Sequence, residues 1–331
     1  METSSTFPAV VCSTLSAASL VTSVVSRYPI GEVQSCQFWT RGLSDIYMVT
    51  ADTGNYVLRV SHAHWRSHNE IAFELAFMDF LRDRQLPIAH PLRTHGGHLC
   101  IELPAPEGKR YASLFVYAPG KIPLGDLNKA QAYTLGEILG QIHAAATAFQ
   151  PPVARPDLDL SYVLDGSIAT IQPFLVHRPD FWTELQTLTE RTRAQLTHLP
   201  RTAPHWTVCW GDPHSGNAHF TTDQQATLFD FDQCGYGWRA FDLAKFLQVS
   251  IRTGISRSVR DQFFAGYEVV QPLEVWEWEA LAALTAMAHC WSWSISIAAI
   301  QQHSYSRLDD GYFNYRLQQL KMLHTPEWQL F

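Results

Sequence analysis

The chain has 331 residues, of which 46% are hydrophobic and 17% charged, with a formal net charge of −7. That length and apolar content can fill two domains or one two-lobed domain. The acidic balance excludes a broad basic face for nucleic acid or an anionic membrane, and suits a neutral or cationic ligand instead.

The six cysteines, Cys12, Cys36, Cys100, Cys209, Cys234 and Cys290, are scattered without a CxxC pair. This is the usage of reduced, mostly buried thiols in a cytoplasmic protein. The apolar opening FPAVVCSTLSAASLVTSVV follows Met1 and Glu2 without a basic residue ahead of it, which argues against a signal peptide. Its serines and threonines argue against a membrane span. Ser13 is placed to cap a helix whose Leu20, Val21, Val24, Val25 and Tyr28 form one apolar stripe, stopped by Pro29. No other run reaches membrane-spanning length.

Next, SCQFWTRGLSDIYMVTADTGNYVLRVS alternates with period two around a TGN turn and ends in a β-rich run at Arg59. SHNEIAFELAFMDFLRDR is an amphipathic helix with Ile71, Leu75, Met78 and Leu81 on one face, widened by Phe73, Phe77 and Phe80. GGHLCIELPAPEGKRYASLFVYAPG reads as two strands around a Pro/Gly loop, and Ala118–Gly120 is the best hinge. Beyond Gly120 the pattern turns helical: NKAQAYTLGEILGQIHAAATAF, then PDFWTELQTLTERTRAQLTHL, then long helical runs from RAFDLAKFLQVS onward. Between them lie the short apolar runs TVCW, AHF and ATLFDF.

Those short strands frame VCWGDPHSGNAHF and LFDFDQCGYG. Asp212, Asn217 and Asp230 each sit where a strand gives way to a loop, so adjacent strands bring them together. Such a carboxylate–amide–carboxylate set suits Mg²⁺, which binds through one or two carboxylates plus substrate phosphates. A carboxylate beside that metal can orient a hydroxyl and accept its proton, as phosphoryl transfer requires.

WGDPHSGN and LFDFD resemble the catalytic motifs of the aminoglycoside phosphotransferase and choline kinase family: His-Gly-Asp, four residues, Asn, then Asp on a following strand. The chain is also similar to the homoserine-kinase-type and stress-response kinase branches. The resemblance covers nearly the whole chain. It implies an α+β, two-lobed protein-kinase-like fold, with a small antiparallel-sheet N-lobe containing one helix and a larger, mainly helical C-lobe. The lobes would be 1–117, binding nucleotide, and 118–331, carrying the catalytic loop and the acceptor.

By the same resemblance Asp212 is the catalytic base, Asn217 a metal ligand and Asp230 the principal Mg²⁺ ligand. Asp232 is a second contact, and Asp242 braces the catalytic loop. RGLSDIY resembles the loop over the ATP phosphates, with Gly42 for close approach and Ser44 for its hydroxyl. Arg59 stands where the family usually has its phosphate-binding Lys. Glu74 is its ion-pair partner, with Glu70 the alternative on the same helix. LFVYAPG resembles the hinge that holds adenine through the backbone of Val116, Tyr117 and Ala118. Two departures stand out, Arg59 for Lys and Trp210 for the usual His, and Arg is not a neutral replacement for Lys.

Other constellations read as structural. His62, His64 and His68 fit no familiar zinc spacing and belong to a solvated loop. Ser215 lacks a nucleophile elbow. Of Trp276, Trp278, Trp291 and Trp293, most read as core residues, with a pocket wall for a cationic substrate as the alternative, and Trp291 and Trp293, two apart, point to nearly opposite sides of a helix. Asp309 and Asp310 open a helix, or else supply charge for a cationic acceptor. The function expected is a cytoplasmic kinase using ATP and Mg²⁺ on a small-molecule hydroxyl such as an amino acid, amino alcohol or aminoglycoside-like amine. The alternatives are a Ser/Thr protein kinase of the bacterial stress-response type and a nucleotide-binding pseudokinase. Neither nucleic acid nor membrane is an expected partner.

Overall fold

The computed structural model describes residues 8–123 and 127–328, without the side chains of 301–303. Met1 and Glu2, on which the leader reading rests, lie outside the described residues. The chain forms two compact units, one of 1–80, 89–118 and 151–154, the other of 81–88, 119–150 and 155–331.

In the first unit a short helix, α1 (Ala17–Ser23), precedes strands β1 (Val33–Arg41), β2 (Ser44–Ala51) and β3 (Gly54–Ser61). Helix α2 (His68–Asp83) and strands β4 (Ile101–Ala105) and β5 (Gly108–Val116) follow. The sheet has the order β1-β2-β3-β5-β4, antiparallel throughout. Period-two alternation puts Tyr47 and Val49 of β2, Leu58 and Val60 of β3, and Ala112 and Leu114 of β5 into one core. Leu20, Val24, Val25 and Tyr28 belong to the same core, so the expected apolar stripe docks. Its start differs. The helix begins at Ala17, and the Ser13 hydroxyl instead donates to the Glu107 carboxylate at 2.8 Å. A partner 94 residues away leaves no local signal of this kind.

At the edge of this core Asp45 is fully buried. It accepts from Arg41 Nε at 2.7 Å and Arg110 at 2.8 Å, and faces His62 Nε2 at 3.3 Å. Burial alone would raise its carboxyl. His62, Arg41 and Arg110 outweigh that and hold it well below the usual carboxylate range. His62 is therefore a buried member of a charge network rather than part of a solvated loop.

The second unit contains helices α3 (Lys129–Ala146), α4 (Gly166–Ile171) and α5 (Pro179–Leu196), then strands β6 (Trp206–Cys209), β7 (Ala218–Phe220), β8 (Ala226–Leu228) and β9 (Gly235–Trp238). Helices α6 (Arg239–Thr253), α7 (Arg257–Val270), α8 (Val275–His303) and α9 (Asp310–Met322) complete it. Asn128 opens α3 with a capping box, exchanging hydrogen bonds with Gln131. Glycine lets α3 and α7 touch backbone to backbone, for a Cβ on Gly136 would lie 1.9 Å from the Phe263 carbonyl oxygen. Strand β6 pairs with β9 and β7 with β8, two small ribbons that frame the loop Trp210–Asn217.

Helix α8 corrects the reading that no run after the N-terminus reaches membrane-spanning length. Val275–Ile300 is long and apolar enough by composition, but most of it is buried inside the unit, so it is a core helix. Trp291 and Trp293 are both buried on different sides of it, Trp291 against Phe241 and Tyr162, Trp293 against Phe313 and His289.

The Asp45 network gives a stability prediction. Asp45→Ala leaves the Arg110 guanidinium buried without its closest carboxylate, which should cost about 3–5 kcal/mol at neutral pH in chemical denaturation. A carboxyl whose pKa is depressed by folding adds stability above its unfolded pKa of about 4 and loses it as pH falls below that. The difference between wild type and mutant should therefore shrink on acidification. A mutant as stable as wild type at neutral pH would show that the network is dispensable.

Candidate active site

The loop after β6 is held from behind. Asp242, in the first turn of α6, is fully buried. Its Oδ2 accepts the Trp210 N–H at 2.6 Å and its Oδ1 the Gly211 N–H at 2.8 Å. The imidazole of His143, on α3, donates to Oδ2 from Nε2 at 3.0 Å and accepts at Nδ1 from the Tyr267 hydroxyl at 2.8 Å. His143, Cys209 and Asp242 are close enough to suggest a metal site. Their atoms are already committed: burial keeps the Cys209 thiol protonated, and it points at the Trp238 carbonyl at 3.3 Å. The cluster is a brace.

Gly211 is required where it stands. Its φ is +89°, and a Cβ there would fall 2.2 Å from the Gln233 carbonyl oxygen. Trp210, in the position of the usual His, is fully buried and stacks on Phe231 at 5.4 Å between centroids. Its indole N–H donates to the carbonyl of Asp230 at 3.0 Å, so the substitution ties the loop to the strand end where Asp230 lies. Asp230 is exposed, with φ of +61°, a left-handed turn rare for a non-glycine residue and typical of functional sites.

The structure brings Asp212 and Asn217 together. Asn217 is buried in a short 3₁₀ turn, and its amide nitrogen donates to the Asp212 carbonyl at 3.1 Å and lies 3.5 Å from Asp212 Oδ2. The same Oδ2 accepts from Gln233 Nε2 at 3.0 Å. His214 takes the Gly216 N–H on Nδ1, so its Nε2 carries the hydrogen that faces Oδ2 at 3.5 Å. The Lys245 ammonium lies 3.4 Å from Oδ1. Burial would raise the Asp212 carboxyl. Lys245, with His214 behind it, outweighs burial and holds it well below the usual carboxylate range. Asp232 is buried and its carbonyl accepts from Arg155.

In the first unit Arg59 meets Glu74 in a two-pronged pair, NH1 to Oε1 and NH2 to Oε2, each at 2.7 Å. Its guanidinium lies over Phe115 at 4.9 Å. Glu70 is engaged elsewhere, with Arg66 at 3.0 Å and in reciprocal hydrogen bonds with Ser67 at the start of α2. Gly42 is at the exposed tip of a two-residue turn between β1 and β2, and a Cβ there would meet nothing. Ser44 is buried as the first residue of β2. At the expected hinge, the N–H groups of Val116 and Tyr117 donate to the His90 and Asn55 carbonyls, and Ala118 is buried. Gly120 has φ of +91° and packs on the Phe220 backbone.

Lys245 and Gln233 are absent from the motif reading, although the sequence carries a signal for each. Lys245 stands one turn after Asp242 inside an otherwise apolar run, and Gln233 closes LFDFDQ. Asp309 and Asp310 have structural partners, the first accepting the Tyr312 N–H and the second pairing with Arg178.

Residues 36–284 match the model of the phosphotransferase enzyme family. An uncharacterised protein of Synechocystis is 51% identical over 325 residues, 98% of this chain and 90% of that protein. The homoserine kinase of Methylobacterium radiotolerans is 28% identical over 273 residues, 78% of this chain and 79% of that protein. A solved amicoumacin kinase in complex with AMP-PNP and Ca²⁺ shares the fold, with a TM-score of 0.76 at 18% identity over 91% of this chain and 92% of that one. The fold is therefore the α+β, protein-kinase-like one, and the chain belongs to the phosphotransferase enzyme family.

Proposed function

We propose that the chain is an ATP- and Mg²⁺-dependent kinase that moves the γ-phosphoryl group to a hydroxyl of a small molecule in the cytoplasm. The observation that carries this reading is the braced loop, where an ionised Asp212 stands beside Asn217 and is tied through Trp210 to the turn bearing Asp230. Its support from relatives is that proteins of similar sequence and fold include a homoserine kinase and an amicoumacin kinase bound to AMP-PNP.

The donor set fits a hard divalent cation. The Asp230 carboxylate is exposed at a strained strand end, and Asn217 turns its amide nitrogen toward Asp212, leaving its carbonyl oxygen as the metal-type donor. Asp230 and Asn217 would hold Mg²⁺ there, and the ion would supply positive charge against the phosphates of ATP.

Asp212 receives the acceptor hydroxyl. The acceptor oxygen bonds to the γ-phosphorus as the bond to the β,γ-bridging oxygen breaks, ADP departs with that electron pair, and the hydroxyl proton passes to Asp212. A carboxylate held so far below its usual range is a weak base. Its part is to orient the hydroxyl and take the proton late, which suits a loose transition state with little early deprotonation. Arg59 holds ATP phosphates, aligned by Glu74, with the turn at Gly42 and Ser44 over the phosphates and the backbone of Val116–Ala118 contacting adenine at the other end of the sheet.

Asp212→Ala should abolish transfer while nucleotide binding survives; a mutant turning over near the wild-type rate would remove Asp212 from this role. Asp230→Ala should weaken nucleotide binding in calorimetry only when Mg²⁺ is present, because its carboxylate acts through the metal. Equal losses with and without Mg²⁺ would count against it. Arg59→Ala should lower kcat/KM for ATP by about a hundredfold, and Arg59→Lys by less. Glu74→Gln added to Arg59→Ala should cost little more, since both act through one pair. Full additivity of the two losses would place the phosphate grip elsewhere.

A further inference from the structure

Beside Asp212 the second unit buries more positive charge than it pairs. Lys245 is 3% exposed, with its ammonium 5.3 Å from the centre of the Trp291 ring and Asp212 as its ion-pair partner at 3.4 Å. One turn along α6, Gln248 is also 3% exposed, and neither its amide nitrogen nor its amide oxygen has a hydrogen-bond partner.

Arg316, on α9, is 4% exposed and lies 5.9 Å over the Trp293 ring. Its guanidinium makes a long hydrogen bond, 3.4 Å, to the His289 carbonyl, while its Nε has no acceptor. Among the described residues it has no carboxylate within ion-pair distance, and burial draws its pKa down to about 10. The Trp293 indole N–H is unpartnered as well. His289 links the two cations. Burial first, then Arg316, with Arg252 and Lys245 adding, push its imidazole well below the ordinary value, so it stays neutral and donates Nε2–H to the Arg316 carbonyl.

A buried charge is normally paired, because removing it from water uncompensated costs several kcal/mol. Here Lys245 has one carboxylate partner, Asp212, and that carboxylate is the one that must receive the acceptor; Arg316 has none among the described residues. As the acceptor's hydroxyl proton passes to Asp212, the carboxylate loses its charge and the Lys245 ammonium loses its counter-ion. We propose that the acceptor itself supplies the missing charge: it is an anionic hydroxy compound, a hydroxy acid or a sugar phosphate, whose anionic group docks on Lys245 and the donors beyond it. Lys245 is then the residue that sets acceptor specificity, with Gln248 beside it. The inference rests on the kinase reading above.

The test is ADP release at saturating ATP with matched acceptors: hydroxy acids, sugar phosphates, their neutral parent alcohols, and amino alcohols. It is run on wild type, Lys245→Gln, Lys245→Arg and Gln248→Leu. Anionic acceptors should exceed their neutral counterparts by about tenfold or more in kcat/KM, a ratio expected when a buried polar site is left unfilled. Lys245→Gln should erase most of that preference through the acceptor KM, with the KM for ATP unchanged. Lys245→Arg should recover part of it, and Gln248→Leu should reduce it. If neutral or cationic acceptors are used as well as anionic ones, the inference fails and the kinase reading stands. It fails equally if Lys245→Gln lowers kcat by the same factor for every acceptor, which would assign Lys245 to the transferred phosphoryl. Absence of Asp212-dependent ADP release with any acceptor defeats both.

Discussion

The second unit depends on one buried carboxylate, Asp242, and on the two consecutive backbone N–H groups it accepts. Those N–H groups, of Trp210 and Gly211, leave β6 just as the strand ends, where no neighbouring strand can receive them. Without Asp242 both would be buried and unpaired, at about 1–3 kcal/mol each. With it, the direction of the chain entering Asp212 is set, and the remaining features follow. Gly211 adopts the positive φ that the turn demands, and its missing Cβ admits the Gln233 carbonyl. Gln233 is then close enough to hand its amide N–H to Asp212. The His143–Tyr267 relay behind Asp242 fixes the imidazole tautomer, so the brace is itself oriented by α3 and α7.

Trp210 shows how a change at a scaffold position can be absorbed. A histidine there could offer a ring nitrogen on either side. An indole has one donor and a large apolar body. The body is buried against Phe231, and the donor reaches the carbonyl of Asp230. One side chain thereby couples the loop bearing Asp212 to the strand end bearing Asp230, and the left-handed backbone at Asp230 is held by a bond to its own carbonyl.

Much of this was legible in the chain, for local reasons. Period-two alternation marks β2 and β3, which bury alternate residues in one core, and the apolar positions of the 3.6-residue period mark α2. The order WGDPHSGN then LFDFD marks the loop because strand-to-loop transitions carry its polar groups. Spacing alone left Glu70 and Glu74 open as partners of Arg59. A further cue was present: Ser67-His-Asn-Glu70 is a capping-box pattern, which consumes Glu70 at the helix start and leaves Glu74 one turn on, facing Arg59. What stayed hidden was long-range pairing. Ser13 looked like a cap because its true partner, Glu107, is remote, and His62 looked solvated because Asp45 and Arg110 are brought to it only by the sheet.

Two depressed carboxyls, one in each unit, show how similar electrostatics serve different ends. Asp45 is closed by two guanidinium groups at 2.7 and 2.8 Å and has no exposed surface. Such a pairing leaves no room for exchange, and it behaves as a structural clamp. Asp212 keeps 17% of its side-chain surface open and is faced by a single ammonium at 3.4 Å, with amide donors on its other oxygen. Ammonium on a flexible stem can turn to a new anion with little strain, which a guanidinium locked in a fork cannot. A lysine among Leu243, Ala244, Phe246 and Leu247 is expensive for a helix core. That cost is offset by the counter-charge of Asp212, which ties the burial of the ammonium to the ionised state of that carboxylate.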